Sequence, residues 1–242
     1  MGFSGLGYWA DITMSEAQTR DYRYERKFLV DQLDVQRVRA LVKLHPAMFY
    51  EPYPPRCVNN LYLDTELLDN YQENVSGVGE RHKARIRWYG NLFGRIERPM
   101  LEFKVKSGLV GTKISYPFAP FVLDGGFSHR YYLDILRVAN IPDRVRQHLR
   151  GLHVVLCNRY YRWYYATRDG RFRVTVDTEM AFYQVRKVAN HFRHRYVDHR
   201  NVVVELKYGK PMDVEAERVS RVFPFSVTKN SKYVTGIERV YL

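Results

Sequence analysis

The sequence predicts an α+β fold made mostly of long antiparallel strands, either a barrel or a sandwich, with few helices. Three observations carry this. Ten segments rich in Val, Ile, Tyr and Phe have strand patterning, against five with helical periodicity. Several of the strands alternate strictly between ionic and apolar residues, as strands with two unlike faces do. Asp169-Gly170, between two strand patterns, supplies the positive φ values of a tight hairpin turn.

Taken in order, residues 1–20, with mixed polar residues and Gly2, Gly5 and Gly7, read as a flexible leader, and 21–242 as one folded unit. Strands are expected at 22–30, 57–64, 82–89, 99–106 and 112–118, then at 153–167, 171–178, 183–189, 201–208 and 237–241. The helix at 31–44 puts Leu33, Val35, Val38, Leu41 and Val42 on one stripe, with Asp31 or Asp34 available as a cap. A second helix is expected at 65–74, following Asp64 and Thr65. Others fall at 129–138, at 142–149 with Pro142 near the first turn, and at 212–221, where Asp213, Glu215 and Glu217 favour the N-terminal end.

Composition narrows the function. A hydrophobic content of 45% over 242 residues excludes a disordered tail and allows a sizeable core. The formal charge of +13, from 39 Lys+Arg against 26 Asp+Glu, favours polyanionic partners: nucleic acid, an anionic membrane surface or condensed phosphates. Apolar runs such as 154–156 and 202–204 are far short of the ~20 residues that a transmembrane helix needs. The first 20 residues lack the early basic region of a signal peptide, and Cys57 and Cys157 alone imply no disulfide framework, so a cytoplasmic location is expected.

The alternation is the sharpest signal. Lys83, Arg85 and Arg87 share one face of "RHKARIRWYG", opposite Ala84, Ile86 and Trp88. Glu25 and Lys27 oppose Arg26 and Phe28, while Glu102, Lys104 and Lys106 oppose Leu101, Phe103 and Val105. Arg171, Arg173, Thr175 and Asp177 oppose Phe172, Val174 and Val176, and Glu205 and Lys207 oppose Val204, Leu206 and Tyr208. A single such strand fits an ordinary sheet with its charged side in water. Five together fit less well, because a solvated face mixes in Thr, Ser and Gln, and because like charges opposite one another destabilise a sheet. If the sheet closes into a barrel with the ionic face inward, about eight strands leave room for side chains or one slender ligand. Crowded cations in that space are costly unless an anion answers them.

At these residues the chain resembles the VTC (vacuolar transporter chaperone) domain, a branch of the triphosphate tunnel metalloenzymes that includes the CYTH domains. The likeness spans roughly residues 21–240. It rests on "YERKF", "ARIRWYG", "LEFKVKSG" followed by Lys113, "NRYYRWYY" followed by "RFRVTVDT", "VVVELKY" and "NSKYVTGI". It implies an antiparallel eight-stranded β-barrel tunnel with a charged interior, flanked by helices. It also implies transfer of the γ-phosphate of ATP to inorganic polyphosphate with Mn²⁺ or Mg²⁺. The family's phosphate-binding cations match Lys27, Arg85, Arg87, Lys104, Lys113, Arg159, Arg173 and Lys232, and its metal-binding carboxylate matches Glu205. Glu102 and Glu25 are expected as helpers to the metal. Lys83, Lys106 and Lys207 on the charged faces, and Lys229 and Ser231 before Lys232, are expected to bind substrate.

One departure bears on the reaction. CYTH-type tunnels open with E-x-E-x-K, whereas Arg23 stands at the first Glu position and leaves only Glu25 and Lys27. That loss favours the VTC branch over a simple triphosphatase. The helical phosphate-sensing domain and membrane spans of eukaryotic VTC subunits are not in this sequence, so the resemblance implies a free-standing core, with room for a separate membrane partner.

Three readings follow: a polyphosphate polymerase, a metal-dependent triphosphatase or polyphosphatase, and a non-catalytic polyanion-binding module. Expected ligands are ATP, triphosphate, pyrophosphate and polyphosphate, with no specific nucleic acid. The sequence does not separate water from phosphate as the acceptor, because the same cations serve both. Other motifs carry less. His191, His194 and His199 near Asp198 lack zinc spacing, and "SGVGE" at 76–80 lacks the Gly-Lys-Ser/Thr ending of a phosphate loop.

Overall fold

The computed structural model describes residues 23–107 and 110–242; the expected leader at 1–20 lies outside them. Eight long strands build the wall: β1 (Arg23–Val30), β2 (Arg56–Asp64), β3 (Glu80–Tyr89), β5 (Met100–Ser107), β6 (Val110–Pro117), β8 (His153–Ala166), β9 (Phe172–Gln184) and β11 (Val202–Gly209). Each pairs antiparallel with its neighbours in the order β9-β11-β1-β6-β5-β3-β2-β8, and β8 pairs back onto β9 to close the ring. β1 meets β6 at one pair, Arg23 with Gly111. Further along β1 the same edge is taken by the chain at 227–228, through a Phe28–Val227 bridge and a bond from the Thr228 amide to the Lys27 carbonyl.

Three short strands were not legible in the sequence. β4 (Gly94–Ile96) and β7 (Phe121–Leu123) form a two-stranded ribbon, and β10 (Arg195–Asp198) extends β9.

The α-helices are α1 (Val35–Lys43), α2 (Asp69–Ser76), α3 (His129–Val138), α4 (Asp143–Arg150), α5 (Asp213–Val222) and α6 (Lys232–Tyr241). Caps follow the chemistry of their residues. The Asp34 side chain accepts from the Arg37 amide at α1, and Ser128 accepts from the Tyr131 amide at α3. α2 begins later than position 65 because Asp64 and Thr65 act from a distance. The Asp64 carboxylate accepts from the amides of Asn70 and Tyr71, and the Thr65 hydroxyl from that of Asp69.

Two expected strands are corrected. Residues 237–241 belong to α6, where Tyr233, Ile237 and Val240 recur at helical spacing and are buried. Residues 183–189 are not a separate strand. β9 continues to Gln184 past an irregularity at Glu179, whose φ is 52°, and then ends where the Asn190 side chain ties down the next turn.

The apolar core lies mainly outside the ring. Phe28, Val174, Val176, Val204 and Leu206 pack with Val38 and Val42 of α1 and Ala216 of α5. Leu61, Ala84, Ile86, Leu101 and Phe103 pack in a second cluster with Tyr132 and Leu136 of α3 and Val145 and Leu149 of α4. A third cluster fills one end of the ring, where Tyr233 and Ile237 of α6 meet Tyr62, Leu156, Tyr160 and Phe182. Gly236 allows that approach, since a Cβ there would lie 2.4 Å from Leu156 Cδ2 and 2.7 Å from Phe182 Cδ1.

Candidate functional site

Strand register decides which side chains face inward. Lys27 stands opposite Glu205, Glu25 opposite Lys207, Lys207 opposite Arg173, Arg85 opposite Glu102, and Asn60 opposite both Arg87 and Asn158. Lys104 has a lysine across from it on each side, Lys83 and Lys113. Like charges in direct cross-strand register are destabilising by themselves. Here three such pairs line one enclosure.

Two webs of ion pairs run through it. In the first, the Arg162 guanidinium donates to both Asp177 oxygens at 2.5 and 2.6 Å, and Lys232 Nζ lies 2.6 Å from Asp177 Oδ2. Glu205 sits within reach of Lys207 at 3.0 Å, Arg162 at 3.5 Å, Lys232 at 3.6 Å and Lys27 at 3.7 Å. Glu25 adds Lys104 at 2.7 Å. In the second web Glu102 takes Arg85 at 2.6 Å, Lys113 at 2.9 Å and Arg87 at 3.6 Å. Tyr160 joins the two. Its hydroxyl accepts from Arg87, and Arg162 and Lys232 lie over its ring at 5.0 and 4.9 Å.

Charge is unbalanced. Among the described residues, Lys27, Lys83, Arg85, Arg87, Lys104, Lys113, Arg162, Arg173, Lys207 and Lys232 face Glu25, Glu102, Asp177 and Glu205. Lys83 shows the strain best. Its ammonium donates to Ser231 Oγ at 2.8 Å and meets no carboxylate among the described residues. Burial, together with Lys27, Lys104, Arg81 and Arg85, drives its pKa well below the usual 10.5. Lys104 is pushed down to about 8 by burial and its lysine neighbours, with Glu25 offsetting part of the effect. The carboxylates respond in the opposite sense. Burial raises Glu205, but Lys207, Lys232, Lys27 and Arg162 outweigh it and hold the group well below the usual carboxylate range. Burial likewise opposes Glu102, and Arg85, Arg87 and Lys113 overcome it.

Lys27, Arg85, Arg87, Lys104, Lys113, Arg173, Lys207, Lys83 and Lys232 are thus brought together with Glu25, Glu102 and Glu205. Arg159 is not. Register pairs it with Asn59 on the outer face, where its guanidinium meets Cys57 Sγ at 2.8 Å. The inward arginine of "NRYYRWYY" is Arg162, which sequence reasoning missed. Tyr161 packs against the outer cluster and Trp163 belongs to it, so Arg162 between them faces the interior. β8 pairs with β2 without a break from Asn158 to Arg162, which puts Arg159 and Arg162 on opposite faces. Asn60 and Tyr160 were missed as well, being polar residues without charge. Ser231 caps α6, accepting from the Val234 amide, and Lys229 is exposed just ahead of it. The Lys106 side chain lies outside what is described. Asp198 uses its carboxylate on the amides of Arg200 and Asn201, and no metal-holding group of three His, Cys, Asp or Glu forms among the described residues.

The sequence pattern of the VTC domain matches residues 22–241. The chain belongs to the VTC domain family. No curated protein matches its sequence. Among solved structures, a proposed adenylate cyclase from Bacillus halodurans is 14% identical, with a TM-score of 0.51, over 93% of this chain and 100% of that one. A second, from Vibrio parahaemolyticus, is 11% identical with a TM-score of 0.51, over 90% and 99%. At such identities the likeness shows the shared fold.

In this VTC domain the carboxylates divide into two groups. Glu25 and Glu205 both border Lys27 and Lys207, whereas Glu102 shares neither of those lysines and is clamped by Arg85, Arg87 and Lys113. Two neighbouring ionised carboxylates suit an oxygen-preferring Mg²⁺ or Mn²⁺ that completes its shell with phosphate oxygens and water. The nitrogen and sulfur donors that zinc favours are not offered by this pair. No helix among the described residues is long and apolar enough to cross a membrane.

Proposed function

We propose that this VTC domain is a phosphotransferase of the polyphosphate-polymerase type, moving the γ-phosphate of ATP to the end of an inorganic polyphosphate chain in the basic tunnel. The observation that carries the reading is the cation surplus, with Lys83 enclosed by like charge and facing no carboxylate. Membership of the VTC family supports it. Phosphoryl transfer asks a protein for alignment and charge neutralisation more than for covalent chemistry. Arg85, Arg87, Arg162 and Arg173 can grip phosphate oxygens with paired donors, while Lys27, Lys83, Lys104, Lys113, Lys207 and Lys232 act as point charges. Glu205, with Glu25, would hold Mn²⁺ or Mg²⁺, whose contribution when bound is to neutralise charge developing on the transferred group. Glu102 serves as counter-ion to Arg85 and Arg87. The proposed setting is the cytoplasm, and any nucleic-acid binding would be weak, salt-sensitive and displaced by short polyphosphate.

The deciding experiment is incubation with ATP and Mn²⁺ followed by gel analysis. Long polymer is the expected product. Free phosphate alone would mean that water is the acceptor, and no turnover would leave a binding module.

A pH dependence follows from Lys83. Its value in the free protein is depressed, and a bound polyanion restores it, so binding takes up a proton between the two values. Triphosphate affinity should therefore fall as pH rises through that window. In the free protein the sign is reversed: the unfolded chain binds the extra proton, so this group's contribution to stability improves as pH rises towards 10.5. Calorimetry in buffers of different ionisation enthalpy should detect the uptake, and Lys83→Met should remove it. Equal uptake in the variant would assign the proton elsewhere.

A further inference from the structure

The phosphate-facing strands end in aromatic side chains at the open mouth. Tyr89 follows Arg87 by two residues on β3, and Tyr164 follows Arg162 by two on β8, so each ring occupies the same inward face about 7 Å nearer the entrance. Arg56, at the start of β2, reaches between them. Its guanidinium carbon lies 4.0 Å from the Tyr89 ring centroid and 5.1 Å from that of Tyr164, and its Nε donates to the Tyr164 hydroxyl at 3.2 Å. Tyr53 stands edge-on to Tyr164 with centroids 6.1 Å apart. Tyr89 and Tyr53 remain 47% and 61% exposed, and Arg56 pairs with no carboxylate among the described residues. Large rings left half in water beside an unneutralised guanidinium have little to gain from packing alone.

We infer that this Tyr89–Arg56–Tyr164 column is the stacking site for the base of the incoming nucleotide. A nucleoside triphosphate is anionic at one end and planar aromatic at the other. The tunnel accepts the first part, and α6 closes the deep end with apolar side chains around Tyr233 and Ile237, so the base is left at the mouth. There it meets aromatic faces and a guanidinium plane, the two surfaces on which bases stack. Stacking reads no base edge, so ATP and GTP should bind alike. The inference rests on the tunnel as a phosphate site and adds the nucleoside subsite to it.

The test is calorimetry in EDTA, so that nothing turns over, with ATP, GTP and inorganic triphosphate titrated into the full chain. Tyr89→Leu should weaken ATP and GTP five- to a hundredfold, the range spanned by base–aromatic stacking, and leave triphosphate within twofold. Tyr89→Phe, which keeps the ring, should bind all three ligands as the wild type does, and thermal melts confirm folding. Equal loss for ATP and triphosphate, or no loss for either, would overturn the stacking site while leaving the tunnel intact. Failure of the wild type to bind triphosphate would overturn the tunnel reading, and this subsite with it.

Discussion

Replacing Glu205 by Gln should lower ATP turnover with Mn²⁺ at least a hundredfold while metal-free triphosphate binds as well as before or better. The substitution keeps the shape of the side chain and removes its charge. Glu205 is ionised throughout the neutral range, because four cations within 3.7 Å outweigh the cost of its burial. If it holds the divalent ion, its loss withdraws charge stabilisation from the transferring phosphoryl group. Single electrostatic contributions of that kind are worth about 10²–10³ in rate. Binding of triphosphate alone should gain, since one repelling carboxylate leaves an anion site. Turnover and binding must be measured on the same preparation, with folding checked by thermal melt. Wild-type turnover in Glu205→Gln would reduce the residue to a counter-ion for Lys207 and Lys232.

Asp177→Asn should cost about 3–5 kcal/mol of stability, the loss expected when one partner of a buried ion pair is removed. Asp177 is fully buried and takes two bonds from Arg162 and one contact from Lys232. Asparagine leaves both cations enclosed with Glu205 alone to answer them, at 3.5 and 3.6 Å. Lys232 is also the first residue of α6, so the loss reaches the helix that closes the tunnel. The native carboxyl is depressed below its ordinary 3.8 because Arg162 and Lys232 outweigh its burial. Its contribution is therefore present above pH 3.8 and lost as pH falls through the native value. Urea unfolding at pH 7 gives the magnitude, with Asp169→Asn at the exposed Asp169–Arg171 pair as a control expected to change little. A cost below about 1 kcal/mol would mean that the web does not depend on Asp177.

Much of this site was legible because β-strands alternate. Lys83, Arg85 and Arg87 against Ala84, Ile86 and Trp88 needed no structure to be assigned to opposite faces, and register then brought them to Glu102 and Lys104. Where alternation breaks, sequence reading broke with it. The extra residue of β9 at Glu179, opposite Arg159–Tyr161, interrupts the pattern in mid-strand, so one strand was expected as two. Arg159 in place of the inward Arg162 was instead a misplaced motif match, since β8 alternates without a break there. The end of the chain misled for another reason. Ile237 and Tyr241, four apart, fit both periods in so short a run, and the contacts of Tyr233 and Ile237 inside the ring select the helix. Asn60 and Tyr160 matter through partners about 30 to 100 residues away, which no local pattern reveals.

The barrel is turned inside out, with its hydrocarbon packed between the wall and the helices and its charge within. Along β9, Val174 and Val176 hold α1 and α5 in place while Thr175 and Asp177 between them serve the tunnel. One set of alternate residues keeps the shell standing and the other furnishes the room. The two can therefore drift separately: a new occupant asks only for different odd-numbered positions on such a strand, and the even-numbered ones need never take notice.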